Sequence, residues 1–138
     1  MVVYVSQEHY PVLWIGQAAV VTLPAEIDVT IADTVRDELL AILGKGATLL
    51  IADLSSTEFC DSAGVSSLVR TYRQASTSGS VMRLVVGTPA VQRVLSITGV
   101  DRLVDVFPNV AASLAGPPDA ADQVQPADAA TADTDGGA

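Results

Sequence analysis

The residues with the clearest chemical potential lie in one segment, residues 53–68, which contains Cys-Asp-Ser-Ala-Gly at residues 60–64. Ser62 has the second glycine of the G-x-S-x-G nucleophile elbow, but Cys60 occupies the position of the first. A serine hydrolase also needs a base, and His9, the only histidine, lies far from Ser62 in the sequence. The pattern therefore does not favour hydrolysis by Ser62.

A phosphate is the other chemistry that Ser62 could carry. A buried strand runs into a polar loop here, and Ser62 then falls on the predicted first turn of a helix. The N–H groups of a first turn are unpaired and carry a partial positive charge, so a phosphate attached there would be stabilised. Gly64 would leave this turn without the bulk of a side chain. Asp61 and Ser62 are also typical helix caps, so a modified serine and a simple capping pair both remain open.

Cys60 is the only cysteine, which excludes an intrachain disulfide and a zinc site built on several thiolates. A thiol near a helix N-terminus can have a lowered pKa, as a redox sensor would need. The simpler interpretation is a small side chain packed where a strand turns into a helix. The glycine-rich residues 44–48 lack the spacing of a phosphate loop and follow a helix instead of a strand. We therefore expect no cofactor and no metal.

Size and charge exclude several classes of protein. A chain of 138 residues is about one domain, and Val, Leu, Ile and Ala must build its core because aromatic residues are few. The net charge of −9 disfavours contact with nucleic acid or anionic lipid. No stretch approaches the ~18 apolar residues of a membrane span, and the N-terminus lacks the basic start of a signal peptide. We therefore expect a cytoplasmic protein.

Composition changes at Gly116-Pro117-Pro118. The following residues carry five aspartates and no base, and they lack the apolar side chains needed to offset the entropy of ordering. The sequence therefore predicts a folded domain over residues 1–115 and a disordered acidic tail over residues 116–138.

Apolar patterning predicts alternating strands and helices within the domain. The predicted strands are residues 12–15, 18–23, 48–54, 83–86 and 103–107, and the predicted helices begin near residues 30, 61, 88 and 109. The first two strands form a hairpin around Gly16-Gln17, and Thr30 and Asp33 have the spacing of a capping box. Single-helix crossovers imply parallel pairing of the later strands. The expected fold class is α/β, with a mainly parallel mixed sheet of about five strands.

Three motifs in order resemble those of the STAS domain of bacterial anti-sigma factor antagonists of the SpoIIAA type. Ala-Glu-Ile-Asp at 25–28 resembles the family's G-E-[IL]-D, residues 53–55 its D-L-S, and Asp-Ser-Ala-Gly-Val at 61–65 its phosphorylation motif. The resemblance extends over about residues 12–115. Ala25 replaces the usual glycine and Pro24 precedes it, which leaves the geometry of that loop open.

The resemblance implies a STAS fold with helices mostly on one side of the sheet, and a binding module instead of an enzyme. The unphosphorylated protein would bind an ATP-dependent anti-sigma factor serine kinase and so release a sigma factor. Phosphorylation of Ser62 would end that binding, and a serine phosphatase would restore it. The partner-binding residues implied are Asp28, Glu58, Asp61, Ser62, Ala63 and Gly64. The same fold also serves as a regulatory or scaffold module of transporters and sensory complexes, which is the alternative.

Overall fold

The computed structural model describes residues 3–7 and 10–116. Within these ranges the strands are β1 (Val3–Gln7), β2 (Pro11–Ile15), β3 (Ala18–Thr22), β4 (Glu26–Ile27), β5 (Leu49–Leu54), β6 (Phe59–Cys60), β7 (Val81–Val86) and β8 (Asp105–Phe107). The α-helices are α1 (Ala32–Gly44), α2 (Ser62–Thr77), α3 (Pro89–Thr98) and α4 (Val110–Ala115), and a 3-10 turn covers Val100–Arg102. His9 and residues 117–138 lie outside the described residues, so the predictions of a surface histidine and a disordered tail stay predictions.

The main sheet has the order β1-β2-β3-β5-β7-β8. Strands β1, β2 and β3 pair in antiparallel fashion, and the remaining neighbours pair in parallel. This confirms the α/β class, the mixed sheet and the hairpin, in which Gly16 takes a left-handed φ of 62°. Strand β1 is an additional edge strand that the apolar pattern did not predict.

Most of the core lies on one face of the sheet. Leu50, Ala52 and Leu54 of β5 join this face, together with the inward residues of α1, α2 and α3. The alternate residue Ile51 points to the opposite face, where Val20 and Val85 pack beneath α4. The implied placement of helices mostly on one side is therefore confirmed.

The start of α1 differs from the prediction. The helix begins at Ala32 after Ile31, and no side chain caps it. The Thr30 hydroxyl donates instead to the Asp28 carboxylate, so Thr30 does not form a capping box with Asp33. Asp28 and Thr30 form a local turn before the helix, and this turn competes for the hydroxyl that a capping box would use.

A buried arginine fastens α4 to the second face of the sheet. Arg83 of β7 is only 1% exposed, and its Nη1 donates to the carbonyl oxygens of Ser113 at 2.6 Å and Gly116 at 3.4 Å. Its guanidinium also lies 5.5 Å from the centre of the Phe107 ring.

Among the described residues, no helix has the length and apolar character of a membrane span.

Candidate functional site

The predicted phosphoacceptor lies at the start of α2. Asp61 is the N-cap residue, and its carboxylate accepts a hydrogen bond from the Gly64 N–H at 3.0 Å. Ser62 is the first helical residue and is exposed, and its hydroxyl makes no hydrogen bond to any described residue. The interpretation of Asp61 and Ser62 as a capping pair is therefore correct for Asp61 only. Ser62 has no structural role in the cap and presents its hydroxyl to solvent.

A short parallel pairing places a second segment beside this turn. Strand β4 pairs with β6, with Glu26 opposite Phe59 and Ile27 opposite Cys60. The Asp61 N–H then donates to the Ile27 carbonyl at 3.1 Å. Residues that follow two parallel strands emerge at the same edge, so Asp28 comes out of β4 beside Asp61.

Gly64 allows this close approach. It is buried, and a β-carbon at this position would lie 2.9 Å from Ile27 Cγ2 and 3.0 Å from the Ile27 carbonyl oxygen. Real β-carbons do not tolerate the shorter of these distances, so any side chain would push the first turn of α2 away from β4. Gly64, which was predicted to leave the turn without side-chain bulk, is thus required by the packing against Ile27.

Asp28 organises the loop between β4 and α1. Its carboxylate accepts hydrogen bonds from the N–H of Thr30 at 2.9 Å and the Thr30 hydroxyl at 2.5 Å. Its carbonyl accepts the N–H of Ala32 at 2.9 Å, which joins the loop to α1. The hydrogen bonds from Thr30 lower the pKa of Asp28, so this group is ionised at neutral pH.

The replacement of glycine by Ala25 after Pro24 does not disturb this arrangement. The Ala25 carbonyl accepts the N–H of Glu58 at 2.7 Å, and the Pro24 carbonyl accepts the Thr57 hydroxyl at 2.8 Å. Both carbonyls thus fasten the segment before β4 to the segment before β6. Glu58 itself is exposed.

Cys60 is packed inside the junction and is only 3% exposed. Burial and the neighbouring Asp61 carboxylate raise the pKa of this thiol to about 11. The interpretation of Cys60 as a redox sensor, which requires a lowered pKa, is therefore wrong. Burial raises the pKa of the thiol by more than the helix N-terminus could lower it. The structure supports the simpler interpretation of a small packed side chain.

Two further residues of this surface were not predicted from the sequence. Val29 follows Asp28 and is 73% exposed, and Phe59 precedes Cys60 and is 50% exposed. Other apolar residues lie close to both in the sequence, Ile27 and Ile31 near Val29 and Cys60 after Phe59, so neither residue stood out. Among the described residues, no group of three or more His, Cys, Asp or Glu side chains could hold a metal ion.

Comparison with known proteins agrees with the fold. Residues 10–113 match the STAS domain family, and the chain belongs to that family. A curated relative from Thermotoga neapolitana, named as an anti-sigma factor antagonist, is 33% identical over 72 residues, which are 52% of this chain and 64% of the relative. The match thus spans less than two thirds of that relative.

Solved structures show the same architecture. An anti-sigma factor antagonist from Mycobacterium paratuberculosis is 25% identical, with a TM-score of 0.67 over 82% of this chain and 90% of that chain. The unphosphorylated form of the anti-sigma factor antagonist SpoIIAA is 17% identical, with a TM-score of 0.64 over 89% of this chain and 98% of that chain. The likeness to SpoIIAA concerns the fold alone.

Proposed function

We propose that this protein is an anti-sigma factor antagonist controlled by phosphorylation of Ser62. In its unphosphorylated form it binds an anti-sigma factor serine kinase and releases the sigma factor. ATP-dependent phosphorylation of Ser62 ends the binding, and a serine phosphatase restores it. The observation that supports this proposal most directly is the exposed Ser62 hydroxyl on the first turn of α2, in a position where Asp61 alone provides the cap.

The position of Ser62 suits a reversible charge switch. A phosphate adds about −1.5 to −2 charges and would be tolerated at the N-terminus of the 16-residue helix α2, so the fold need not change. A partner that covers Ser62 would have to bury this charge, which is costly without a matching cation. The partner-binding surface then consists of the accessible site residues around the acceptor, namely Asp28, Glu58, Asp61 and Ala63. Gly64 is buried, so its contribution is to the packing of the turn and not to the surface itself. In this function we expect the protein in the cytoplasm.

Phosphate mapping tests the acceptor. Each purified anti-sigma factor kinase of the source organism is incubated with the protein and ATP, and the phosphate is located by mass spectrometry. We expect one kinase to modify Ser62. Ser66→Ala is the matched control, because Ser66 is also exposed and lies one turn later on α2. It should leave phosphorylation unchanged, whereas Ser62→Ala should abolish it.

Titration tests the switch. Unmodified, phosphorylated and Ser62→Ala protein are titrated against the kinase that modifies Ser62, with and without ATP. Binding of the Ser62→Ala protein should persist and become insensitive to ATP. Equal binding by all three forms would contradict the proposal, as would a phosphate on another residue. Binding to a transporter or sensor protein without any phosphorylation would favour the scaffold module instead.

A further inference from the structure

Large apolar side chains are exposed at four positions of the described chain. Val29 lies after β4 and lines a groove with Ala63, and Phe59 is the first residue of β6, three residues before Ser62. Ile97 and Leu103 lie at the end of α3 and after the following 3-10 turn. Val29 and Ile97 have nearly the same exposure, 73% and 75%. Exposed apolar residues close to a proposed binding residue are candidates for the solvent-excluded core of an interface.

The segments that carry Val29 and Phe59 are acidic. Residues 24–31 and 55–62 contain four carboxylates and no lysine or arginine. The four carboxylates belong to Glu26, Asp28, Glu58 and Asp61. A surface of this charge attracts a basic partner and raises its rate of association, and it repels an acidic one.

Two arginines line the groove to which Val29 and Ala63 also belong, so the acidic character of the site lies on the side of the four carboxylates. The groove between α1 and α2 has a volume of about 290 Å³ and is lined in part by Arg36 and Arg70. Arg36 is paired with Asp33 at 3.3 Å and Asp37 at 3.1 Å. Arg70 lies eight residues beyond Ser62, which is about 12 Å along the helix.

These charges bear on how phosphorylation could end binding. A phosphate on Ser62 makes an acidic surface more acidic, so it cannot repel a basic partner during the approach. It would instead place a strongly hydrated group three residues after Phe59 and next to Ala63, which lines a groove together with Val29, and a tight complex must exclude water there. The expected consequence is faster dissociation and not slower association.

We infer that the partner of this site presents a basic surface with an apolar pocket. The carboxylates of Glu26 and Glu58 set its rate of association, and Val29 and Phe59 are the anchors that hold it. Phosphorylation of Ser62 then increases the dissociation rate, because the hydrated phosphate brings water to the contacts made by these two side chains. This inference rests on the proposed function, and it adds the chemistry of the partner and the kinetic step at which the switch operates.

The test measures association and dissociation rates with the kinase found to phosphorylate Ser62. Val29→Ser and Phe59→Ser should each increase the dissociation rate about tenfold and change the association rate by less than about twofold. Phe59→Leu should stay close to the unchanged protein, because it keeps an apolar anchor. The matched controls Ile97→Ser and Leu103→Ser should leave both rates unchanged. Melting curves establish that each variant is folded before it is compared.

Charge is tested separately. The double variant Glu26→Gln with Glu58→Gln should slow association several-fold at low salt and weaken its salt dependence, with little change in dissociation. Phosphorylated protein should associate at least as fast as unmodified protein and dissociate much faster.

Two results would overturn the inference. One is that Val29→Ser and Phe59→Ser dissociate at the same rates as Ile97→Ser and Leu103→Ser. The other is that phosphorylation acts mainly on association. In either case a kinase that still modifies Ser62 and releases the product would leave the proposed function standing. Absence of any such kinase would instead remove the proposed function itself.

Discussion

A β-carbon on Gly64 would lie 2.6 Å from the sulfur of Cys60, closer than real β-carbons come to any neighbour. The buried thiol and the glycine therefore fit against each other where β6 passes into α2. This contact fixes the position of the first turn of α2 and hence of Ser62. The glycine of the phosphorylation motif is thus a packing requirement, since this position in the acceptor's turn has no room for a side chain.

Gly64→Ala should destabilise the protein by about 1–3 kcal/mol, because the added methyl group overpacks the junction. Gly44→Ala is the matched control. Gly44 is also helical, and a β-carbon added there would meet no atom within 4 Å, so this change should stabilise the protein by up to about 1 kcal/mol. Urea unfolding of the two variants measures the difference. Equal free energies of unfolding would show that the junction can relax around a larger residue.

Asp61 and Ser62 should differ sharply in their contributions to stability. Asp61→Ala removes the acceptor for the Gly64 N–H and should cost about 0.5–2 kcal/mol. Ser62→Ala removes an exposed hydroxyl without a described partner and should change the free energy of unfolding by less than about 0.5 kcal/mol. Chemical denaturation of both variants checks the assignment. A larger loss for Ser62→Ala would mean that Ser62 is the cap.

Cys60 should make stability depend on pH in the alkaline range. Its pKa is raised to about 11 in the folded protein, so the unfolded chain loses the thiol proton first. Stability from this group is therefore fully present below about pH 9 and falls as the pH rises toward 11, by about 2–3 kcal/mol in all. Unfolding curves of the protein and of Cys60→Ala measure this. The loss between these pH values should be smaller in the variant, and parallel curves would contradict the raised pKa.

The same thiol should resist modification in the folded state. A buried, protonated sulfur reacts slowly with a thiol reagent at about pH 8, and unfolding in urea should expose it. Partner binding by Cys60→Ser should accordingly match that of the unchanged protein under reducing and oxidising conditions. Rapid modification of the folded protein, or binding that responds to oxidant only when Cys60 is present, would restore the sensor interpretation.

Local signals explain which parts of the fold were predictable. Thr88 and Pro89 predicted the start of α3, and the Thr88 hydroxyl accepts the Val91 N–H there at 3.4 Å. Gly99 predicted its end and takes a left-handed φ of 83°. In these cases the residues that define an element are neighbours in the sequence, so periodicity and capping chemistry are sufficient.

The parts that were missed depend on distant partners. Strands β4 and β6 have two residues each, too few for any periodicity, and they pair across more than 30 residues of chain. Arg83 was predicted only as part of a strand, because its acceptor at Ser113 lies 30 residues away. The motifs thus located Ser62 and its cap, whereas the neighbouring Val29 could be placed only by three-dimensional pairing.

A negative charge at the acceptor position should by itself weaken partner binding. Ser62→Glu should weaken binding to the kinase by about 2–4 kcal/mol, or about 30- to 1000-fold, because a hydrated carboxylate must then be desolvated in the apolar part of the interface. Ser62→Gln is the matched control, with the same size and no charge. It should lose much less affinity. Both variants should remain folded, because position 62 is exposed and the charge of the glutamate is favourable on the first turn of α2. Glutamate carries one charge and has a different shape from phosphate, so true phosphorylation should have the larger effect. Titration of the kinase with both variants and with phosphorylated protein measures the series. Equal losses for Ser62→Glu and Ser62→Gln would show that bulk, and not charge, blocks the partner.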